Sequence, residues 1–149
     1  MKQMSISSPA FTDNGRIPPV YTCDGEDINP TLEFHDVPEE AHSLALIVED
    51  PDSPGKTWVH WVLFNINPHT KILHEDSVPD GAIETVTDFG NKGYGGPCPA
   101  NGIHRYKFKL FALDTLLDLT EDVTRDEIED AMENHILESA DLTGLYTRE

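Results

Sequence analysis

The run RYKFKLFALD, Arg105 to Asp114, alternates along its length. Tyr106, Phe108, Leu110 and Ala112 share one parity, while Arg105, Lys107 and Lys109 occupy the other until Phe111 interrupts the polar row. Successive side chains of a strand point to opposite faces, so this period predicts a strand with one apolar and one wetter side. Three other stretches are rich in β-branched and aromatic residues and predict strands: SLALIVE from Ser43, WVHWVLFNI from Trp58 and AIETVTDF from Ala82. Turn signals recur at roughly eight- to twelve-residue intervals through the first two thirds, the rhythm of a sandwich rather than of βαβ units. One strong helical signal begins at Thr124, where TRDE fits a capping box with Glu127, and Ile128, Ala131, Met132, His135 and Ile136 follow at helical spacing. That helix is expected to lay its stripe on a sheet and to stop at Gly144, with a shorter helix or turn near Leu116 to Leu119. The expectation is a mostly β protein, an antiparallel β-sandwich with a C-terminal helix. No internal repeat or linker interrupts the chain, and 149 residues fit a single domain, 1–149.

Charge narrows the partners. The chain has 28 acidic against 10 basic residues, a formal net charge of −18, which argues against nucleic acid and against anionic membrane surfaces. From Asp114 onward 12 acidic residues stand against 2 basic ones, which reads as a solvated acidic helix face; adaptation to high salt fits the same numbers. The start, MKQMSISSPAF, lacks the apolar core of a signal peptide, and no apolar run approaches the roughly 18 residues of a membrane span. No integral membrane contact and a cytoplasmic location are expected. Cys23 and Cys98 are the only cysteines and lack C-x-x-C spacing, so free thiols are expected. No spacing in the chain calls for a cofactor or a bound metal.

Three polar clusters remain. In VEDPDSPGKTWVHW, Pro51 denies Asp50 the helical region, and Asp50 and Asp52, two apart, point the same way from a strand end. His60 lies in the strand that follows, on the parity of Val62, Phe64 and Ile66, where an imidazole turned to the apolar side needs a partner. In GYGGPCPANGIHRY, glycines and prolines shape a loop, after which His104 and Tyr106 project to one face of a strand and Arg105 to the other. Two loops and two strands can therefore gather Asp50, His60, His104 and Tyr106 at one mouth. His35, His42, His69, His74 and His135 sit among charges or turn residues and receive no role.

The ordered segments YTCDGEDINPTLEF, LIVEDPDSPGKTWVHWVLFNI and GYGGPCPANGIHRYKFKLFALD, followed by a terminal helix and GLY, resemble the phosphatidylethanolamine-binding protein family over nearly the whole chain. The nearest likeness is to its bacterial and archaeal YbhB/YbcL branch, related to the Raf kinase inhibitor protein and to plant flowering-time regulators. Like that branch, the chain has GPCP where the animal proteins tend to have GPP. It differs in Asn29, Thr31 and Phe34, where Ser, Pro and Trp are usual. The resemblance implies a pocket for a small anion such as phosphate, acetate or a phosphorylated headgroup, built from Asp50, Pro54, Trp58, His60, Pro97, His104 and Tyr106. It also implies a supporting ion pair between Asp52 and Arg105 and a cis bond between Ser53 and Pro54. On this reading the protein is a regulatory binding module, not an enzyme, with a kinase or a protease as the partner to consider and a homodimer left open. Two enzymatic readings compete. Asp50, His60 and His104 could stand in for a metal-binding triad, and Cys98 near His104 is the one candidate nucleophile for a hydrolase.

Overall fold

The computed structural model describes residues 2–148. In chain order these form β1 (Ser5–Ser7), β2 (Gly15–Arg16), β3 (Leu32–His35), β4 (Ser43–Asp50), β5 (Trp58–Ile66), β6 (Ile72–Leu73), β7 (Ile83–Glu84), β8 (His104–Leu113), α1 (Arg125–Met132) and β9 (Ile136–Tyr146). A three-stranded sheet runs β1-β3-β6 and a six-stranded one β2-β9-β8-β4-β5-β7. Every ladder is antiparallel except the short β2–β9 pairing.

The sandwich follows from the alternation. Tyr106, Phe108, Leu110 and Ala112 of β8 join Leu46, Val48, Trp61 and Leu63 against Ile6, Leu32, Phe34 and Leu73 of the smaller sheet, making the main core. A second cluster lies on the outer face of the large sheet, where Ala45, Ile47, Val62 and Phe64 pack under Ile128 and Met132 of α1 and under Leu117. Covered on both sides, β4 is buried at every residue. Burying each large apolar side chain contributes about 1.5–3 kcal/mol, which fixes the register, because a one-residue slip would exchange the faces.

The capping box forms as expected: the Thr124 hydroxyl accepts the Glu127 N–H, and the Glu127 carboxylate accepts the Thr124 N–H at 3.0 Å. The helix ends earlier than its apolar spacing predicts. Glu133 leaves the helical region, Asn134 turns left-handed at φ 69°, and from Ile136 the chain pairs with β8 along its whole length. His135 and Ile136 therefore lie outside the helix. Gly144 is not a helix stop; it lies within β9 opposite Tyr106, where a Cβ would come 2.5 Å from Ile17 and 2.9 Å from Phe11. No helix forms at Leu116 to Leu119. Leu117 instead plugs the second cluster, its N–H and C=O both bound by the Asn65 side chain. The expected strand at Ala82 shrinks to Ile83–Glu84, since Thr87 caps a turn through the Phe89 N–H and Gly90 reverses the chain at φ 91°.

Candidate functional site

The site lies at one end of the large sheet, where the β4–β5 hairpin and the loop entering β8 meet. Asp50 closes β4 opposite Trp58. Its Oδ1 accepts the Asp52 N–H at 2.8 Å, and its Oδ2 receives His104 Nδ1 at 2.6 Å. Two positions on, Asp52 takes the Arg105 guanidinium at 2.9 and 2.8 Å and also the Arg105 backbone N–H at 2.9 Å. Adjacent residues of β8 are thus pinned by alternate aspartates of one loop, the buried pair inside and the exposed pair outside. Arg105 holds the Asp52 carboxyl down at about 2.

The bond between Ser53 and Pro54 is trans; no cis peptide occurs among the described residues. Gly55, next in the loop, takes the left-handed conformation at φ 83° with open space around it. His60 does not follow the parity of Val62 and Phe64 either. The ladder slips between Val48/Trp61 and Glu49/Val59, a bulge that leaves Val59 in the outer cluster and turns His60 toward Tyr106 with ring centroids 5.2 Å apart. Gly95 grips His60 from the side: its N–H donates to the His60 carbonyl at 3.0 Å and its carbonyl accepts His60 Nδ1 at 2.6 Å. A carbonyl only accepts, so the hydrogen sits on Nδ1. In both histidines Nε2 is left as the ring nitrogen without a protein partner among the described residues.

Together these groups line a cavity of about 320 Å³ with Ser53, Pro54, Trp58, Phe89, Cys98, Pro99 and Ala100. Of the positions read from the sequence, Asp50, Pro54, Trp58, His60, His104 and Tyr106 border it. Pro97 does not: it is buried behind the wall, its carbonyl accepting the Cys23 N–H at 3.1 Å. Phe89 was not foreseen. Asp88 sets it, accepting the Val59 N–H at 2.7 Å and donating to the Val59 carbonyl, so that Phe89 stands edge-on to Trp58 and to His60. Cys98 is no free thiol. It is bonded to Cys23 across 75 residues, which also removes it as a nucleophile. The pairing escaped the sequence because only the fold brings these loops together.

The rings differ in chemistry. Burial lowers the His60 pKa below its ordinary 6.5, outweighing the Gly95 carbonyl and the nearby carboxylates. Burial likewise pushes the Tyr106 phenol far up, reinforced by the charge of Asp50, so it remains an O–H donor. His104 alone is joined to a carboxylate, which fixes its ring and compensates its charge when it is protonated. No group of three or more His, Cys, Asp or Glu side chains among the described residues is arranged to hold a metal ion.

A two-sheet fold with a small cavity at its hairpin end, where Asp50, His60, His104 and Tyr106 meet an apolar wall, defines a β-sandwich with an end pocket. Residues 7–147 match the phosphatidylethanolamine-binding protein family. The chain belongs to that family, in its bacterial and archaeal branch. A UPF0098 protein of Methanothermobacter thermautotrophicus is 51% identical over 97% of this chain and 99% of its own length. The crystal structure of a homologue from Chlamydia trachomatis, described as of the phosphatidylethanolamine-binding type, superposes with a TM-score of 0.96 at 40% identity, covering both chains fully. That of Escherichia coli YbcL, described as a new member of the mammalian family, does so with 0.92 at 27% identity, over 99% of this chain and 100% of that one. No helix among the described residues is long and apolar enough to cross a membrane.

Proposed function

We propose that the chain is a binding protein, not an enzyme, whose pocket takes a small oxyanion, best matched by a singly protonated phosphoryl group. The observation that carries this reading is the paired orientation of the two imidazoles, His104 by Asp50 and His60 by Gly95, each at 2.6 Å through Nδ1. His104 in its charged form and the Tyr106 hydroxyl supply donors, while neutral His60 supplies an Nε2 acceptor for a P–OH hydrogen. A fully ionised phosphate offers no hydrogen to that acceptor. Asp50 adds a negative charge at the wall, but both its oxygens are engaged, so the Asp50–His104 pair is close to neutral when the ring is protonated. A regulatory role fits such a site, which offers donors and an acceptor to a phosphorylated ligand while Cys98, held in a disulfide, offers no thiol to attack it.

Calorimetric titration of phosphate and of acetate at about pH 5.5 and 7.5, on wild type and His104→Ala, tests the reading. Acetate keeps its charge across this interval, so its pH dependence reports the protein alone. Wild type should bind both anions several-fold more tightly at the lower pH, and His104→Ala should lose the dependence for acetate. Equal affinities for both proteins at both pH values would eliminate the pocket as an anion site.

A further inference from the structure

The wall made by Pro99 and Ala100 has a second concavity on its far side. This one measures about 360 Å³ and is bordered by Arg16, Asp24, Tyr146, Thr147 and Arg148 as well as by those two residues. The histidine pocket and this cavity therefore share a ridge rather than lying on separate faces.

Its chemistry is unusual for this molecule. The chain has only 10 Lys and Arg residues, and two of them border this hollow. Arg16 makes no ion pair among the described residues; its guanidinium carbon lies 5.3 Å from the Tyr146 ring centroid, held by the aromatic face. Arg148 donates to Asp24 Oδ1 through Nε and Nη2 at 3.2 and 3.0 Å, and the other Asp24 oxygen takes the Tyr146 hydroxyl at 2.6 Å. Asp24 is thus saturated, and those bonds hold its pKa down, the Tyr146 bond foremost. Among the described residues that border the hollow, two guanidiniums stand against one satisfied carboxylate, on a chain of net charge −18. Thr147 also borders the hollow, its Oγ1 turned away from solvent and without a hydrogen-bond partner among the described residues.

We propose that this hollow is a second anion subsite, so that the ligand is a small bis-anion with its phosphoryl group in the histidine pocket and a second phosphate or carboxylate between Arg16 and Arg148. The proposal rests on the phosphoryl reading of the first pocket and extends it to the class of ligand. Two linked groups reaching adjoining subsites gain affinity because the second contact is made at high effective concentration. Arg suits the second group, since its planar fork meets an oxyanion with two parallel bonds.

The test compares inorganic phosphate, fructose 6-phosphate and fructose 1,6-bisphosphate by calorimetry at about pH 6 and low salt. Wild type should bind the bisphosphate about tenfold or more tightly than the monophosphate. Arg16→Met, which breaks no ion pair among the described residues, should remove most of that gain, and Arg16→Met with Arg148→Met should remove it entirely. Affinity for inorganic phosphate should stay within about twofold in both variants. Lys107→Met, a cation lost from the opposite face of β8, should keep the gain, which separates a local subsite from a change in overall charge. Equal binding of mono- and bisphosphate by wild type, or a gain that survives in both arginine variants, overturns the subsite while leaving the first pocket intact. Failure of wild type to bind inorganic phosphate at all overturns both readings.

Discussion

At His60 the fold removes a proton that a free imidazole would take up in mild acid. Its folded pKa lies below 6.5, so the unfolded chain gains a proton as pH falls through that value while the folded chain does not. The stability tied to His60 is therefore present above about pH 6.5 and is lost as pH drops beneath it. Urea denaturation of wild type and His60→Gln at about pH 7.5 and 5.5 should show the smaller acid loss in the variant; parallel losses would mean the ring is not desolvated. Asp52 has the same sign in a lower window. With its carboxyl at about 2 in the folded state against 3.8 ordinarily, its contribution is complete above about pH 4 and vanishes as pH approaches 2. Both partners keep contact with water, so Asp52→Asn should cost only about 1 kcal/mol at neutral pH and flatten the acid limb of a stability profile.

Among the elements, α1 is tied to the sheet by a charge that the apolar stripe does not reveal. Glu49, 3% exposed on β4, lies 2.6 Å from Lys109 and 2.7 Å from Arg125, and Arg125 also reaches Glu129 on the helix. Arg125→Ala leaves a buried carboxylate with one cation and should cost about 1–3 kcal/mol, with Arg125→Lys recovering part. Amide exchange should quicken in α1 while the β8–β9 ladder stays protected; uniform quickening would show that the ion pair supports the whole fold. These elements also show what a sequence reveals. β5 and β8 were legible because they carry alternating or aromatic runs, and the start of α1 because a capping box is a local signal. β9 was not: Ile136, Leu137 and Leu142 fit a helix as well as a strand, and only the long ladder with β8 decides between them. The β5 bulge that aims His60 and the Asp88 clamp that places Phe89 arise from neighbouring chain segments, so no local spacing shows them. Asp50, His60, His104 and Tyr106 were legible because they stand out in contiguous motifs, whereas Pro54, Trp58 and Pro97 were carried over by resemblance; Pro54 and Trp58 border the cavity and Pro97 lies behind its wall.

For the molecule as a whole, 28 acidic residues against 10 basic ones mean self-repulsion in the folded state, so added salt should raise the melting temperature until screening is complete near molar concentration. The cross-link between Cys23 and Cys98 acts on the other side of the equilibrium. It joins loops already stitched by three hydrogen bonds: Cys23 N–H to the Pro97 carbonyl at 3.1 Å, Gly96 N–H to Asp27 at 2.7 Å, and the Tyr94 hydroxyl to the Tyr21 carbonyl at 2.8 Å. Gly96 makes this approach possible, because a Cβ there would collide with the Tyr21 carbonyl. The folded loop is thus held without the sulfur bridge, and the bridge mainly restricts the unfolded chain. Closing a loop of 75 residues contributes about 4 kcal/mol in the chain-entropy account. Replacing both cysteines by serine should therefore lower stability by a few kcal/mol, and a thiol reductant should lower the melting temperature of wild type but not of the variant. Phosphate affinity should meanwhile stay within about twofold, since Gly95 still holds His60 and Asp50 still holds His104. If affinity instead falls about tenfold with the bridge removed, the cross-link positions the Gly95 carbonyl in the folded state, and the pocket depends on the oxidation state of two cysteines that are remote in sequence.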